Sequence, residues 1–134
     1  MPIDRRTLNP STLSSPPGYS HVVQVSGGAT VYIAGQVALD GSGNLVGAGD
    51  FEAQARQVFN NLAAALAEVG ATPSDLVKIG IYVVEHDTEK LGVVRRVRDD
   101  VLRADPPPAS TLLGVAALAL PEYLIEADGI AVLG

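Results

Sequence analysis

Pro106-Pro107-Pro108 is the stretch that most limits how this chain can fold. Proline lacks the amide N–H and its ring crowds the preceding turn, so no helix runs through this triplet. The residues after it start afresh in extended conformation. Two apolar runs come next, separated at Pro121-Glu122 and rich in Val, Ile, Leu and Thr. Each is short and bounded, and reads as a strand: Ser110 to about Leu118, then Leu124 to Val132. In the second run Glu126 and Asp128 stand two residues apart, so both carboxylates face one side of the sheet. The rest of that run is apolar or glycine. A carboxylate on a largely buried strand needs a partner or a chemical role.

The upstream chain sets the other elements. Residues 1–20 are rich in Pro, Ser and Thr and read as an irregular lead-in. His21 to Val25 reads as a strand, Ser26-Gly27-Gly28-Ala29 as a turn, and Thr30 to Leu39 as a second strand paired with the first. Gly35 interrupts that strand, which suggests a bulge or the close approach of a backbone or ligand. Asp50 is placed as the N-cap of a helix from Phe51 to about Val69, ended by Gly70. Its apolar stripe runs through Ala55, Val58, Phe59, Leu62 and Leu66. Leu76 to Val84 reads as a strand, with Ile79, Ile81 and Val83 on one face and Gly80 and Tyr82 on the other. A second helix from about Asp87 to Leu102 carries Val94, Val97 and Val101 as its stripe, with the arginines outside it.

The order β-β-α-β-α-β-β implies an α+β domain, a mixed sheet with both helices on one face. The other face is apolar and has no cover within the chain, so a second copy is expected to bury it in a closed oligomer. A chain of 134 residues suits a single domain spanning 1–134. The net charge is −6, and the arginines at 95, 96, 98 and 103 are interrupted by Asp99 and Asp100, so no nucleic-acid partner is expected. Aromatic residues make up only 4% of the chain, too few for a base-stacking platform. No run is long and charge-free enough for a membrane span, and the N-terminus lacks a signal-peptide core. With no cysteine, these features lead to the expectation of a cytoplasmic protein.

Ile33-Ala34-Gly35-Gln36, Ala53 to Leu62, Asp75 to Lys78, Pro108-Ala109 and Leu124 to Asp128 stand in an order and spacing that resembles the RidA/YjgF family. The resemblance covers about His21 to Val132. It implies a chorismate-mutase-like subunit, a closed homotrimer, and clefts between neighbouring subunits. In such clefts a small imine or enamine, such as 2-aminoacrylate, is hydrolysed to a keto acid and ammonia. The resemblance also implies an arginine on the substrate carboxylate, a glutamate handling water, a glycine N–H and an aromatic wall. Carried over, the glutamate is Glu126 and the glycine Gly35. The aromatic position holds His21, or Tyr19 after a small slip. The arginine position, directly after Pro108-Ala109, holds Ser110. Arginine grips a carboxylate through two charge-assisted hydrogen bonds, and serine offers one neutral donor, so an altered substrate preference is expected.

Each site residue keeps a plainer reading. Glu126 is a general acid/base or a structural ion-pair member. Asp128 contacts ligand or pairs with a neighbouring donor. His21 transfers protons or is a half-exposed strand residue. Ser110 binds ligand or satisfies a local hydrogen bond, and because Ser110 and Thr111 alternate, only one faces the cleft. Arg103 reaches the vacant arginine space or stabilises a helix end. Neither histidine has a metal-ligand spacing, so neither metal nor cofactor is expected. The function these features imply is hydrolysis or tautomerisation of a small imine-type metabolite. The alternative is a non-catalytic trimer that binds a metabolite in the same cleft.

Overall fold

A computed structural model describes residues 2–134. Its elements are β1 (Asp4–Leu8), β2 (Val22–Ser26), β3 (Ala29–Gln36), α1 (Phe51–Glu68), a 3-10 turn (Pro73–Asp75), β4 (Leu76–Val84), α2 (Thr88–Val101), β5 (Ala109–Val115) and β6 (Ile125–Leu133). The Asp50 carboxylate accepts from Ala53 N–H at 3.1 Å and starts α1. Gly70, at φ +75°, takes the left-handed conformation that ends it. Asp87 caps α2 through Lys90 N–H at 2.8 Å, and α2 ends before the prolines.

The main sheet has the order β3-β6-β4-β5. β6 runs antiparallel to both β3 and β4, while β4 and β5 are parallel with α2 as their crossover. Ile79, Ile81 and Val83 of β4 and Ile125, Ala127 and Ala131 of β6 are buried beneath the helices. They meet the α1 stripe of Val58, Phe59, Leu62 and Leu66, each fully buried. This is the α+β, chorismate-mutase-like arrangement, with both helices on one face. On the other face Tyr32 is 79% exposed and Leu113 49%, at the two edge strands.

Three details depart from the pattern read in the sequence. The lead-in is not wholly irregular, because β1 pairs antiparallel with β2. Two adjacent arginines hide that strand, but Arg5 donates to Ser74 O at 2.6 Å and Leu76 O at 3.0 Å and so fastens it to the start of β4. The expected pairing of the two strands around Gly27-Gly28 does not form: β2 pairs with β1, and β3 pairs with β6. A side chain at Gly28 would collide with Leu133 O, so the turn packs on the end of β6. β5 also ends earlier than expected, at Val115, and residues 116–124 form no strand.

Gln54 ties the helix layer to the entry of β6. It is fully buried, donates to Gly47 O at 3.1 Å and Glu122 O at 3.0 Å, and accepts from Leu124 N–H at 2.9 Å. Replacing a buried amide with an apolar group strands its backbone partners. Gln54→Leu is expected to lower unfolding stability by about 2–3 kcal/mol, read by urea denaturation. A change below about 0.5 kcal/mol would show that these three contacts contribute little.

Candidate functional site

The β4–β6 register assembles the acidic cluster on the uncovered face. Tyr82 stands opposite Glu126, and Gly80 opposite Asp128. On the other side of β6 the ladder slips. Ile33 pairs with Gly129 and Gln36 with Ala127, so Ala34 and Gly35 form a bulge. The Glu126 carboxylate occupies the space a Gly35 side chain would fill, and the Asp128 carboxylate that of Gly80. Each carboxylate therefore needs its glycine. Beyond the bulge, Asn61 donates to Val37 O at 3.1 Å and Leu39 O at 2.9 Å, and Gln57 donates to Asn61 Oδ1 at 2.9 Å. α1 thereby fixes how Gly35 is presented beside an open depression of about 540 Å³.

The two acids differ in their surroundings. Asp128 accepts from the Tyr82 hydroxyl at 3.1 Å. Glu126 has no salt-bridge partner among the described residues. Desolvation, the hydrogen bond to Asp128 and the charges of Asp128 and Glu126 all raise the Tyr82 pKa above the usual phenol value.

Ser110 lies elsewhere. It is in register with Ile79, which is buried under the helices, so it faces the helix layer, and Thr111 takes the uncovered face. There Lys78 Nζ donates to Thr111 Oγ1 at 2.8 Å. Ser110 and Tyr19 border a cavity of about 120 Å³ against α2. The Tyr19 ring meets His21 edge-on at 5.3 Å, and His21 Nε2–H donates to Ser14 O at 2.6 Å. Ser20 holds this segment along β5: its N–H donates to Pro108 O at 3.0 Å and its hydroxyl to Pro107 O. Within the chain, then, Glu126, Asp128 and Gly35 form one group, and Ser110, Tyr19 and His21 form another on the opposite side of the sheet.

Arg98 is the residue that sequence reasoning missed. Of the α2 arginines expected outside the apolar stripe, it departs from that placement: its side chain is only 15% exposed and borders the same cavities as Ser110. The signal was its spacing of four residues after Val94 and three before Val101, which sets it on the flank of the stripe. Burial lowers its pKa, with Asp99 opposing and Arg95 adding to that shift. Arg103 is exposed at the mouth of one cavity. Arg96 pairs with Glu52, and Arg56 with Glu52 and Asp100, whereas Arg95 and Arg103 make no salt bridge among the described residues. Among the described residues no helix is long and apolar enough to cross a membrane.

Comparison with known proteins gives a consistent picture. Residues 11–133 match the family model described as Endoribonuclease L-PSP. The Rid-family protein YyfB from Yersinia pestis is 43% identical, with a TM-score of 0.87, over 96% of this chain and 98% of that one. Protein DfrA from Myxococcus xanthus is 35% identical over 85% of this chain and 84% of its own length. A protein named 2-iminobutanoate/2-iminopropanoate deaminase, from Dermatophagoides farinae, is 33% identical over 75% of this chain and 74% of its own.

The Tyr82–Asp128 pair carries a testable pH dependence. A raised folded-state pKa means the neutral phenol is favoured by folding. That contribution is complete below the unfolded phenol value of about 10, and is lost as pH rises through the folded value. A phenolate absorbance titration, with Tyr82→Phe identifying the component, should show Tyr82 titrating after an ordinary tyrosine. Asp128→Asn should bring it back toward the ordinary value. An unmoved Tyr82 in Asp128→Asn would remove Asp128 as a cause.

Proposed function

The chain belongs to the RidA/YjgF family, and from that premise we propose that it hydrolyses or tautomerises a small imine- or enamine-type metabolite, with Glu126 as the group that handles water and protons. The observation that carries this reading is the seat of Glu126. Its carboxylate lies over the bulge glycine at a sheet edge, partly exposed and without a salt bridge among the described residues. A carboxylate so placed is free to take a proton from a water molecule. As the water oxygen bonds to the imine carbon, Glu126 accepts the water proton. It returns that proton to the nitrogen to give a carbinolamine, then takes the hydroxyl proton and delivers it to the nitrogen as the C–N bond breaks and the C=O bond forms, so that ammonia leaves. In this reading Gly35 N–H polarises the substrate, and Asp128, held by Tyr82, orders the adjacent polar surface.

The reading places the reaction in a cleft shared between copies. Gly35 lies on edge strand β3 and Ser110 on edge strand β5, and Ser110 faces the opposite side of the sheet from Glu126. A neighbour that sets its β5 edge beside the first subunit's β3 edge would bring Ser110, Tyr19 and His21 to Glu126. Repeated head to tail, that contact closes a ring, which we propose is a homotrimer. It would also cover Tyr32 and Leu113. Ser110 at the position where relatives of this type carry arginine changes which substrate is held, and it also favours the alternative of a cleft that retains a metabolite without turnover. RNA is not the proposed ligand, given a net charge of −6 and the pairing of Arg56 and Arg96 with acidic side chains.

The test is release of ammonia and keto product from freshly generated 2-iminopropionate and from uncharged imines. Glu126→Gln should lower turnover about 100- to 10,000-fold with the oligomer intact by sedimentation. Gly35→Ala, whose new methyl displaces only the flexible end of Glu126, should keep the fold and lose a comparable share of activity. Unchanged turnover in Glu126→Gln would sink the mechanism. A native protein that binds these compounds but releases no product would establish the alternative.

A further inference from the structure

Between the C-terminal half of α2 and the start of β5 lies a cavity of about 180 Å³. It is bordered by Gly18, Arg98, Arg103, Pro107, Pro108 and Ser110. Leu76, Ile79 and Leu102 form an apolar side. At roughly 30 Å³ per water molecule it has room for about six heavy atoms. Arg98 and Ser110 also border the smaller neighbouring cavity that contains Tyr19, so the two residues stand where the cavities meet.

Among the described residues the Arg98 guanidinium has no hydrogen-bond partner, and its nitrogens keep some solvent contact. The side chain is only 15% exposed, and its one salt bridge is a 3.8 Å contact from Nε to Asp99, whose own side chain is 70% exposed. An ion pair of that length with a solvated partner contributes little. The two carbonyls at the head of β5, Pro107 O and Pro108 O, already accept from Ser20. The guanidinium lies against the backbone of Gly18, where a side chain would come within 2.9 Å of Nη2, so the lead-in leaves space for this group. Arg95 and Arg103 border the paired cavities as well, against Asp99 alone. The local field is therefore positive in a protein of net charge −6.

We propose that Arg98, a residue of helix α2, is the anion-binding residue of this protein and grips a small monocarboxylate in this cavity. A planar guanidinium matches a carboxylate through two parallel hydrogen bonds. Ser110 adds a neutral donor, and the apolar side receives a short carbon chain. A dianionic phosphate suits the site less, because the cavity adjoins the negative end of α2 and the Asp99 charge. The proposal rests on the imine-hydrolysing reading only in taking the carboxylate to be that of the substrate or keto product. The cation absent from β5 at position 110 is then supplied from the neighbouring helix.

Pyruvate, a stable keto acid of six heavy atoms, is the probe, and its uncharged analogue pyruvamide the control. Binding to the full chain is measured by titration calorimetry or ligand-observed NMR. Pyruvate should bind at least about 10-fold more tightly than pyruvamide to the native protein. Arg98→Met, which keeps much of the buried stem, should weaken pyruvate about 10- to 100-fold and abolish the discrimination. Arg98→Lys should fall between, because it keeps charge but loses the planar fork. Arg96→Gln, which removes an exposed charge that pairs with Glu52 and borders neither cavity, should change pyruvate binding less than about 3-fold. Equal binding of pyruvate and pyruvamide to the native protein overturns the proposal, as does no pyruvate binding, or tighter binding of inorganic phosphate. Should Arg98→Met fail to fold, native discrimination together with Arg98→Lys decides the matter. The two readings fail separately. Pyruvate binding that ignores Arg98, with turnover still lost in Glu126→Gln, removes only the anion site. Arg98-dependent binding with turnover intact in Glu126→Gln removes only the hydrolytic mechanism.

Discussion

The antiparallel pairing of β4 with β6 is the constraint on which the rest depends. It joins the two most buried strands and sets Tyr82 opposite Glu126 and Gly80 opposite Asp128. A slip of one residue would send both carboxylates into the apolar layer beneath α1 and α2. The burial of Ile79, Ile81, Val83, Ile125 and Ala127 on the helix side prevents that slip. One register therefore builds the core and aims the polar groups outward. The Gln54 contacts hold the start of β6 in the same register from the helix side.

Much of this architecture was legible because it repeats locally. The α1 stripe, the Asp50 cap and the Gly70 stop are written in adjacent residues, as is the Leu76–Val84 alternation. Partner choice between strands was less legible. The Gly27-Gly28 turn looked like a hairpin, yet its neighbours pair with β1 and β6, which are distant in sequence. β1 was hidden because its anchor is a half-buried arginine bonded to backbone carbonyls, a contact no apolar pattern advertises.

The site divides in the same way. The shared face of Glu126 and Asp128 follows from a period of two, and an isolated strand glycine pointed to a bulge at Gly35. That each carboxylate lies over a glycine is a cross-strand fact, visible only once the register is known. The sequence allowed Ser110 or Thr111 to face a cleft, and the parallel pairing with β4 resolves which way each points. Arg98 was obscured because an arginine next to a stripe reads as a solvated flank. Its burial depends on Gly18, a residue far away in the chain.

Ser20 has a consequence beyond positioning Tyr19. β5 is an edge strand, and unpaired backbone groups along such an edge invite other chains to add on. The parallel bridge from Ser20 to Ala109, with its two hydrogen bonds to the proline carbonyls, covers the beginning of that edge. The lead-in thus acts as a guard against uncontrolled strand addition while the remainder of the edge stays free for ordered contact. Shortening the chain past Ser20 would uncover that stretch of edge and also remove the Arg5 contacts that fasten the start of β4.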